Sequence, residues 1–221
     1  MGVWTRIVGV LAAPLLLAGC LLTPGKFTSK LIVNADRSFT YTYLGEVYAV
    51  DQDMTPGDSA DKKSAAEIAK KKAEAETKNR AIADALSKEA GYRSVRYVGD
   101  GKFLIDYQVS GRLDHAFIYP FNLDAQAIIP FVAVELRANG TVRVKTPGFA
   151  NESKDQMGPA GGMGGSSGGE KIDGVFTLDT DAEIVSTNNE EGPQAAGARK
   201  LLTWNVSPLT RDAPTAVLRL K

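Results

Sequence analysis

The one cysteine of this 221-residue chain, Cys20, closes an apolar run near the N-terminus. Arg6 supplies a positive charge, residues 7–17 are apolar apart from one proline, and small residues up to Gly19 precede the thiol. These are the three parts of a secretory signal. The apolar run is shorter than the roughly 20 residues of a membrane-spanning helix. We therefore predict export, with a signal peptide of residues 1–19 that is cleaved between Gly19 and Cys20.

The string Leu17-Ala18-Gly19-Cys20 resembles the lipobox of bacterial lipoproteins. The resemblance implies a diacylglyceryl group on the sulfur of Cys20 and, after cleavage, an acyl group on its new amine. Two or more acyl chains hold a protein stably at a membrane, at about 0.8 kcal/mol per buried CH₂. Leu21 stands where an aspartate would imply retention at the inner membrane. The resemblance thus implies an outer-membrane lipoprotein on the periplasmic side, or a cell-membrane one where the organism has no outer membrane.

A serine and a histidine have the residue types for hydrolysis. Gly164-Gly165-Ser166-Ser167-Gly168 matches Gly-x-Ser-x-Gly, and His115 is the one histidine that could serve as its base. However, no apolar strand precedes the match and no helical pattern follows it, and Gly/Ser-rich runs produce such matches by chance. We therefore expect no catalytic residue and no enzyme activity. A serine hydrolase using Ser166 and His115 is the third hypothesis, behind two without chemistry.

Metal-binding patterns are incomplete. Asp51-Gln52-Asp53 begins like a calcium loop, but Pro56 and Lys62 stand where an EF-hand needs glycine and glutamate. One histidine cannot build the usual zinc site, and Met157 and Met163 are too few for copper. Three carboxylates at period two predict one solvated strand face, with an adventitious cation as the lesser alternative: Asp179, Asp181 and Glu183. We expect no metal and no cofactor.

Lysines are concentrated at the start of a predicted helix. Residues 61–78 contain six lysines and four acidic side chains. A soluble, salt-bridged face is the simplest interpretation of this pattern. The functional alternative is contact of Lys70, Lys71 and Lys72 with anionic lipid headgroups or an acidic wall polymer. The whole chain has 26 basic and 26 acidic residues, so its charge does not favour nucleic acid as a partner.

Periodicity predicts the elements that position these residues. Residues 30–50 form a hairpin whose aromatic face (Phe39, Tyr41 and Tyr43) favours core packing over a ligand surface. A helix spans roughly residues 61–90, with its C-terminal half docked on a sheet, and a capping-box pattern from Ser64 to Glu67 offers a later start. Further strands or hairpins occupy residues 94–111, 128–145, 175–187, 201–206 and 216–220. Residues 157–170, rich in Gly and Met, predict a flexible loop.

The fold class follows from this order of elements. Runs of strands with one segregated helix predict an α+β domain, mainly an antiparallel sheet of about eight strands with one long helix packed on it. We expect a lipidated cysteine and short tether over residues 20–26, and the periplasmic domain over residues 27–221.

From the helix onward, the chain resembles the LppM-like domain of bacterial lipoproteins. Four stretches carry the resemblance in order: 98–101, 135–142, 188–206 and 216–218. It implies a non-catalytic envelope domain that meets lipids or glycolipids, and it transfers no catalytic residue. Our leading prediction is a membrane-anchored, non-catalytic interaction module that binds an envelope protein, lipid or cell-wall partner. The runner-up is a lipid or glycolipid carrier with its ligand between the sheet and the helix.

Overall fold

The computed structural model describes residues 21–50, 64–120, 130–150 and 171–220. These residues form one α-helix of 22 residues, a short 3₁₀ helix and twelve strands. In chain order the elements are β1 Leu21–Val33, β2 Ser38–Val50, α1 Ala65–Leu86, β3 Tyr92–Gly99, β4 Lys102–Arg112, β5 Phe117–Tyr119, β6 Val132–Leu136, β7 Thr141–Lys145, a short 3₁₀ helix Pro147–Phe149, β8 Asp173–Thr180, β9 Glu183–Thr187, β10 Gln194–Ala196, β11 Arg199–Val206 and β12 Thr215–Arg219. The α+β class with one long helix is confirmed.

The strands lie in two sheets, where the sequence predicted one sheet of about eight strands. Sheet A has seven strands in the order β10-β11-β8-β1-β2-β4-β3, and sheet B has five in the order β5-β6-β7-β12-β9. Neighbouring strands are antiparallel except for β1 and β8, which are parallel. The prediction was wrong on this point because hairpin patterns indicate which neighbours pair, but not where the chain changes sheet.

One change of sheet occurs at residues 180–183, inside the segment predicted as one strand over 175–187. β8 ends at Thr180 in sheet A, and β9 begins at Glu183 in sheet B. Side chains fix this corner: the Thr180 hydroxyl donates to the Val33 carbonyl at 2.6 Å, and Asp181 accepts from the Ala35 N–H at 2.7 Å. Polar residues at period two therefore mark a corner here and do not form a solvated face.

Aromatic rings from both sheets fill the space between them. Tyr41 and Tyr43 are fully buried, so core packing of the aromatic hairpin is confirmed. Phe149 stacks on Phe27 with ring centroids 4.4 Å apart and also contacts Phe131 and Phe176. Ring pairs of this kind add about 0.5–1.5 kcal/mol beyond the burial of their surface. The aromatic core therefore joins the two sheets into one unit.

β1 begins at Leu21, within the segment expected to be a tether. Residues 21–24 pair with β2 in the register Leu21↔Val50 to Pro24↔Val47, and the register shifts between Pro24 and Phe27. Pro24 and Gly25 suggest a chain break in the sequence, but in the structure they form this irregularity, and both are buried. Within the described residues, strand pairing is therefore already present at Leu21, the residue that follows Cys20.

Candidate functional site

The candidate site is one end of sheet A, which we call the anchor edge. It comprises the first residues of β1, the last of β2, the β3–β4 turn and the first residues of β4, including Leu22, Tyr48, Val98, Asp100 and Lys102. Leu22 pairs with Ala49, and the N–H of Ala49 donates to the Gly101 carbonyl at 2.8 Å. The β3–β4 turn therefore lies beside the strand that follows Cys20.

Helix α1 begins with a capping box. Ser64 accepts from the Glu67 N–H at 3.3 Å, and the Glu67 carboxylate accepts from the Ser64 N–H at 2.8 Å. This confirms the predicted capping box, which satisfies two backbone donors at the helix N-terminus. The helix spans Ala65–Leu86, so it has the later of the two predicted starts and ends four residues before the predicted residue 90.

The helix meets the anchor edge through its middle turns. Tyr97 on β3 donates from its hydroxyl to Glu76 at 2.8 Å, and the Asp100 N–H donates to the same carboxylate at 3.0 Å. Lys72 forms an ion pair with Asp100 at 2.9 Å. Their mutual hydrogen bond raises the pKa of Lys72 and lowers the pKa of Asp100. These contacts fix the direction of α1: its C-terminal half packs on β3, and its N-terminal half continues past the β3–β4 turn.

The two halves of α1 differ in exposure, as the sequence predicted. Asn79 and Ala83 are buried against β3. The first turns, from Ala65 to Glu74, are exposed throughout, and this segment includes Lys70, Lys71 and Lys72. This half of the helix buries no face, so pairs between its own side chains contribute to its stability. Lys70 and Glu74, 3.9 Å apart, make such a pair.

A second group of charges lies on the anchor edge itself. Glu46 accepts hydrogen bonds from Lys102, the Lys26 N–H and the Tyr48 hydroxyl. Burial opposes ionisation of Glu46, but these donors hold its pKa below the usual value. Lys171 lies over the Tyr48 ring at 4.1 Å. Sequence analysis missed this group because its members come from β1, β2, β4 and the residues before β8.

The three carboxylates that alternate along the sequence have three separate partners. Asp179 binds Lys30 at 2.8 Å and also Arg199, and Asp181 is held at the sheet corner by the Ala35 N–H. Glu183 pairs with Arg219 at 2.8 Å. Burial opposes the charge on Asp179, but its two cationic partners lower its pKa. The expected common face does not form, because Asp179 belongs to sheet A and Glu183 to sheet B.

The outer face of sheet A is open to solvent along a row that crosses the sheet. Thr28 pairs with Leu44, which in turn pairs with Asp106, while Asn205 lies further along the row beside Val175. Thr28, Leu44 and Asn205 are exposed, Leu44 by 61%. Leu44 is on the opposite face from the buried Tyr43, so it is an apolar side chain that the core does not use.

The residues of the hydrolase hypothesis are not brought together in the part of the chain that the structure describes. His115 is exposed, between β4 and β5. Ser166, Asp51, Met157, Met163 and the predicted loop 157–170 lie outside the described residues, as do the signal peptide and Cys20. No group of three or more metal-ligating side chains occurs among residues 21–50, 64–120, 130–150 and 171–220.

Between α1 and β3, side chains meet directly. The Tyr97 hydroxyl accepts from the Asn79 amide at 3.4 Å and from the Gly101 N–H at 3.0 Å, and the Arg80 guanidinium lies 6.0 Å from the Tyr97 ring. This is the interface where the carrier hypothesis places a ligand. Its described residues are mixed: Asn79 and Tyr97 make hydrogen bonds, while Ala83 is buried and Ile82 packs against the core.

In the described part of the chain, no helix combines the length and the apolar character required to cross a bilayer.

Comparison with known proteins identifies no family for this chain. No family model matches it, and no curated protein matches it in sequence. Among solved structures, the chain shows similarity to the NMR structure of the folded domain of LppM from Mycobacterium tuberculosis, at 13% identity and a TM-score of 0.36, over 90% of this chain and 91% of that one. The stretches that carried the sequence resemblance fall mainly at the β3–β4 turn, the β6–β7 hairpin and β11.

Proposed function

We propose that the chain is a lipid-anchored protein of the bacterial envelope whose two-sheet domain is a non-catalytic interaction module. One observation carries the proposal: the string Leu17-Ala18-Gly19-Cys20 ends at the thiol, and the next residue, Leu21, is already paired with Val50 in β1. Cleavage before Cys20 would thus leave the acylated residue directly on the folded domain. We place it at the periplasmic side of the outer membrane, because Leu21 is not the aspartate that implies inner-membrane retention.

Replacing the thiol tests the anchor. We expect cells fed labelled palmitate to label the wild-type protein and to leave Cys20→Ala unlabelled, since the alanine offers no sulfur for the diacylglyceryl group. Thr23→Ala is the matched control, because it alters β1 close to the anchor but leaves the signal string intact. Membrane fractionation should place wild type and Thr23→Ala in the same fraction and release Cys20→Ala. A Cys20→Ala protein that is still labelled would refute the proposal.

The interaction module needs a surface, and the outer face of sheet A supplies one. A single exposed apolar side chain is normal on a protein surface, so Leu44 serves as the position from which contact on this open face is tested. We expect a photocrosslinking residue at position 44 to capture one defined envelope partner in living cells. The same residue at position 209, where Leu209 is 87% exposed on the β11–β12 connection, is the control. Equal capture at both positions, or none at position 44, would contradict this use of the face.

A further inference from the structure

We propose that the protein lies against the surface of its own bilayer by the anchor edge, with the exposed half of α1 seated on anionic lipid headgroups. The inference rests on the proposed lipidation of Cys20. It adds an orientation: the strands of sheet A run away from the membrane, so the outer face with Leu44 is roughly perpendicular to the membrane plane.

The first step is that no flexible linker separates the proposed anchor, Cys20, from the paired residues of β1. Adjacent Cα atoms are about 3.8 Å apart, so the acylated residue stays within that distance of Leu21. Leu21 is paired with Val50, and the pairing continues without interruption to Pro24. A segment paired with β2 in this way cannot serve as a flexible tether. The start of β1 must therefore remain close to the headgroups whenever the acyl chains are inserted, and the anchor edge is the part of sheet A nearest to it.

The second step is that α1 extends past the same edge. Lys72 contacts Asp100 at the β3–β4 turn, and Glu76 contacts Tyr97 one turn further along the helix. Residues 65–71 therefore continue beyond the turn, over about 10 Å at 1.5 Å per residue. All of them are exposed. This segment is 45 or more residues from Cys20 in sequence, and the fold brings the two to one end of the molecule.

The third step is the charge of the surface so formed. The exposed half of α1, Ala65–Glu74, has three lysines and two glutamates, and one of these, Glu67, is engaged in the capping box. On the edge itself, the basic residues Lys26, Lys102 and Lys171 are outnumbered by one by the acidic residues Glu46, Glu76, Asp100 and Asp173. The surface as a whole is therefore balanced in charge, and its local excess of positive charge lies on the helix, at Lys70 and Lys71. A small excess of this kind favours an anionic bilayer without requiring a specific lipid.

The test measures the height of two positions above the bilayer. Because the acylated protein has no free thiol, Val98→Cys and Ser110→Cys each provide one labelling site for a fluorophore. Val98 is 48% exposed at the anchor edge, and Ser110 is exposed on β4. Eight strand residues separate Lys102 from Ser110, a rise of about 27 Å. Each labelled, acylated protein is placed in phosphatidylcholine–phosphatidylglycerol vesicles that contain a headgroup nitroxide quencher.

We expect strong quenching at position 98 and little at position 110. The control is an insertion of about 15 Gly and Ser residues between Cys20 and Leu21, which provides a leash of roughly 20 Å and should remove most of the difference. Equal quenching at both positions in the protein without the insertion would overturn the inference. The mass of the same sample separates the two failures: a protein without acyl groups refutes the proposed function, and an acylated protein with equal quenching refutes the orientation alone.

The lysines are tested in the same vesicles. Lys70→Gln with Lys71→Gln should reduce quenching at position 98, and the reduction should vanish in vesicles of phosphatidylcholine alone. Lys88→Gln with Arg112→Gln removes the same charge from the opposite end of sheet A, beyond the start of β3 and at the end of β4, and should leave quenching unchanged. Equal effects of the two pairs, or no effect of the first pair, would overturn the headgroup contact of α1.

Discussion

Phe149→Ala should lower the free energy of unfolding by about 3–5 kcal/mol, the cost typical of removing a buried phenylalanine. Phe149 is fully buried and contacts three other rings: Phe27, Phe131 and Phe176. Phe27 and Phe176 belong to sheet A, and Phe131 directly precedes β6 of sheet B. Removing the ring would leave a cavity at the junction of the sheets, which neighbouring rings held by strand pairing cannot fill.

Urea unfolding of a detergent-free Cys20→Ala protein, without its signal, measures this loss. Trp204 is the one tryptophan beyond the signal, and it stacks on Phe176 with centroids 5.6 Å apart, so its fluorescence reports on the same core. Leu209→Ala is the control, since a side chain 87% exposed should change stability by less than about 0.5 kcal/mol. A loss below about 1 kcal/mol in Phe149→Ala would show that the sheets are not joined through this ring.

Asp179→Asn should destabilise the protein by about 1–2 kcal/mol at neutral pH, with an effect that fades in acid. Asp179 is 7% exposed and binds Lys30 and Arg199. Hydrogen bonds to a charged group contribute about 1.5–3 kcal/mol, and we reduce this because both cations are partly exposed to solvent. Asparagine keeps the shape of the side chain and removes the charge.

The direction of the pH dependence follows from the lowered pKa of Asp179. Burial opposes its charge, but Lys30 and Arg199 outweigh this effect and hold the pKa below the unfolded value of about 3.9. The ion pairs therefore stabilise the fold fully above about pH 4 to 5, and their contribution is lost as the pH falls through the folded-state pKa. The difference in stability between wild type and Asp179→Asn should begin to shrink below about pH 4 and should vanish once the pH is below the folded-state pKa of Asp179.

Urea unfolding at several pH values tests this convergence. Glu183→Gln is the matched control, because Glu183 also pairs with an arginine, but both side chains are more than half exposed. Exposed pairs contribute about 0–1 kcal/mol, so this variant should remain close to wild type throughout. A difference between Asp179→Asn and wild type that persists unchanged to pH 3 would show that packing, and not charge, explains the effect of the substitution.

Local patterns in the sequence predicted local structure well. The capping box of Ser64 and Glu67 forms as expected, and Gly140 occupies the left-handed conformation that its Asn-Gly turn requires. The buried face of the aromatic hairpin also follows from period two. Each of these features depends on residues close together in the chain, whose preferences a single sequence displays directly.

The features that the sequence did not reveal depend on distant partners. The corner after Thr180 is fixed by bonds to Val33 and Ala35, more than 140 residues away. The start of β1 was hidden because Pro24 and Gly25 normally interrupt strands, and only the pairing with β2 shows that they form an irregularity within one. The anchor edge was missed for the same reason, since it joins residues from β1, β2, β3 and β4.

In the candidate site, too, the sequence predicted the local features and missed the relation between distant ones. The sequence alone singled out Cys20 and the group Lys70, Lys71 and Lys72, because a lone thiol after small residues and a run of lysines are both visible in one segment. It could not relate them to each other. Their relation comes from the contact of α1 with the β3–β4 turn, which places the lysine segment at the end of the sheet where β1 begins.

Mass spectrometry of the N-terminal peptide of the membrane-extracted protein tests the central claim most directly. We predict a mature chain that begins at Cys20, with a diacylglyceryl thioether on the sulfur and an acyl group on the amine, followed without further change by Leu21-Leu22-Thr23. A peptide that begins elsewhere, or one that begins at Cys20 with a free thiol, would contradict the account.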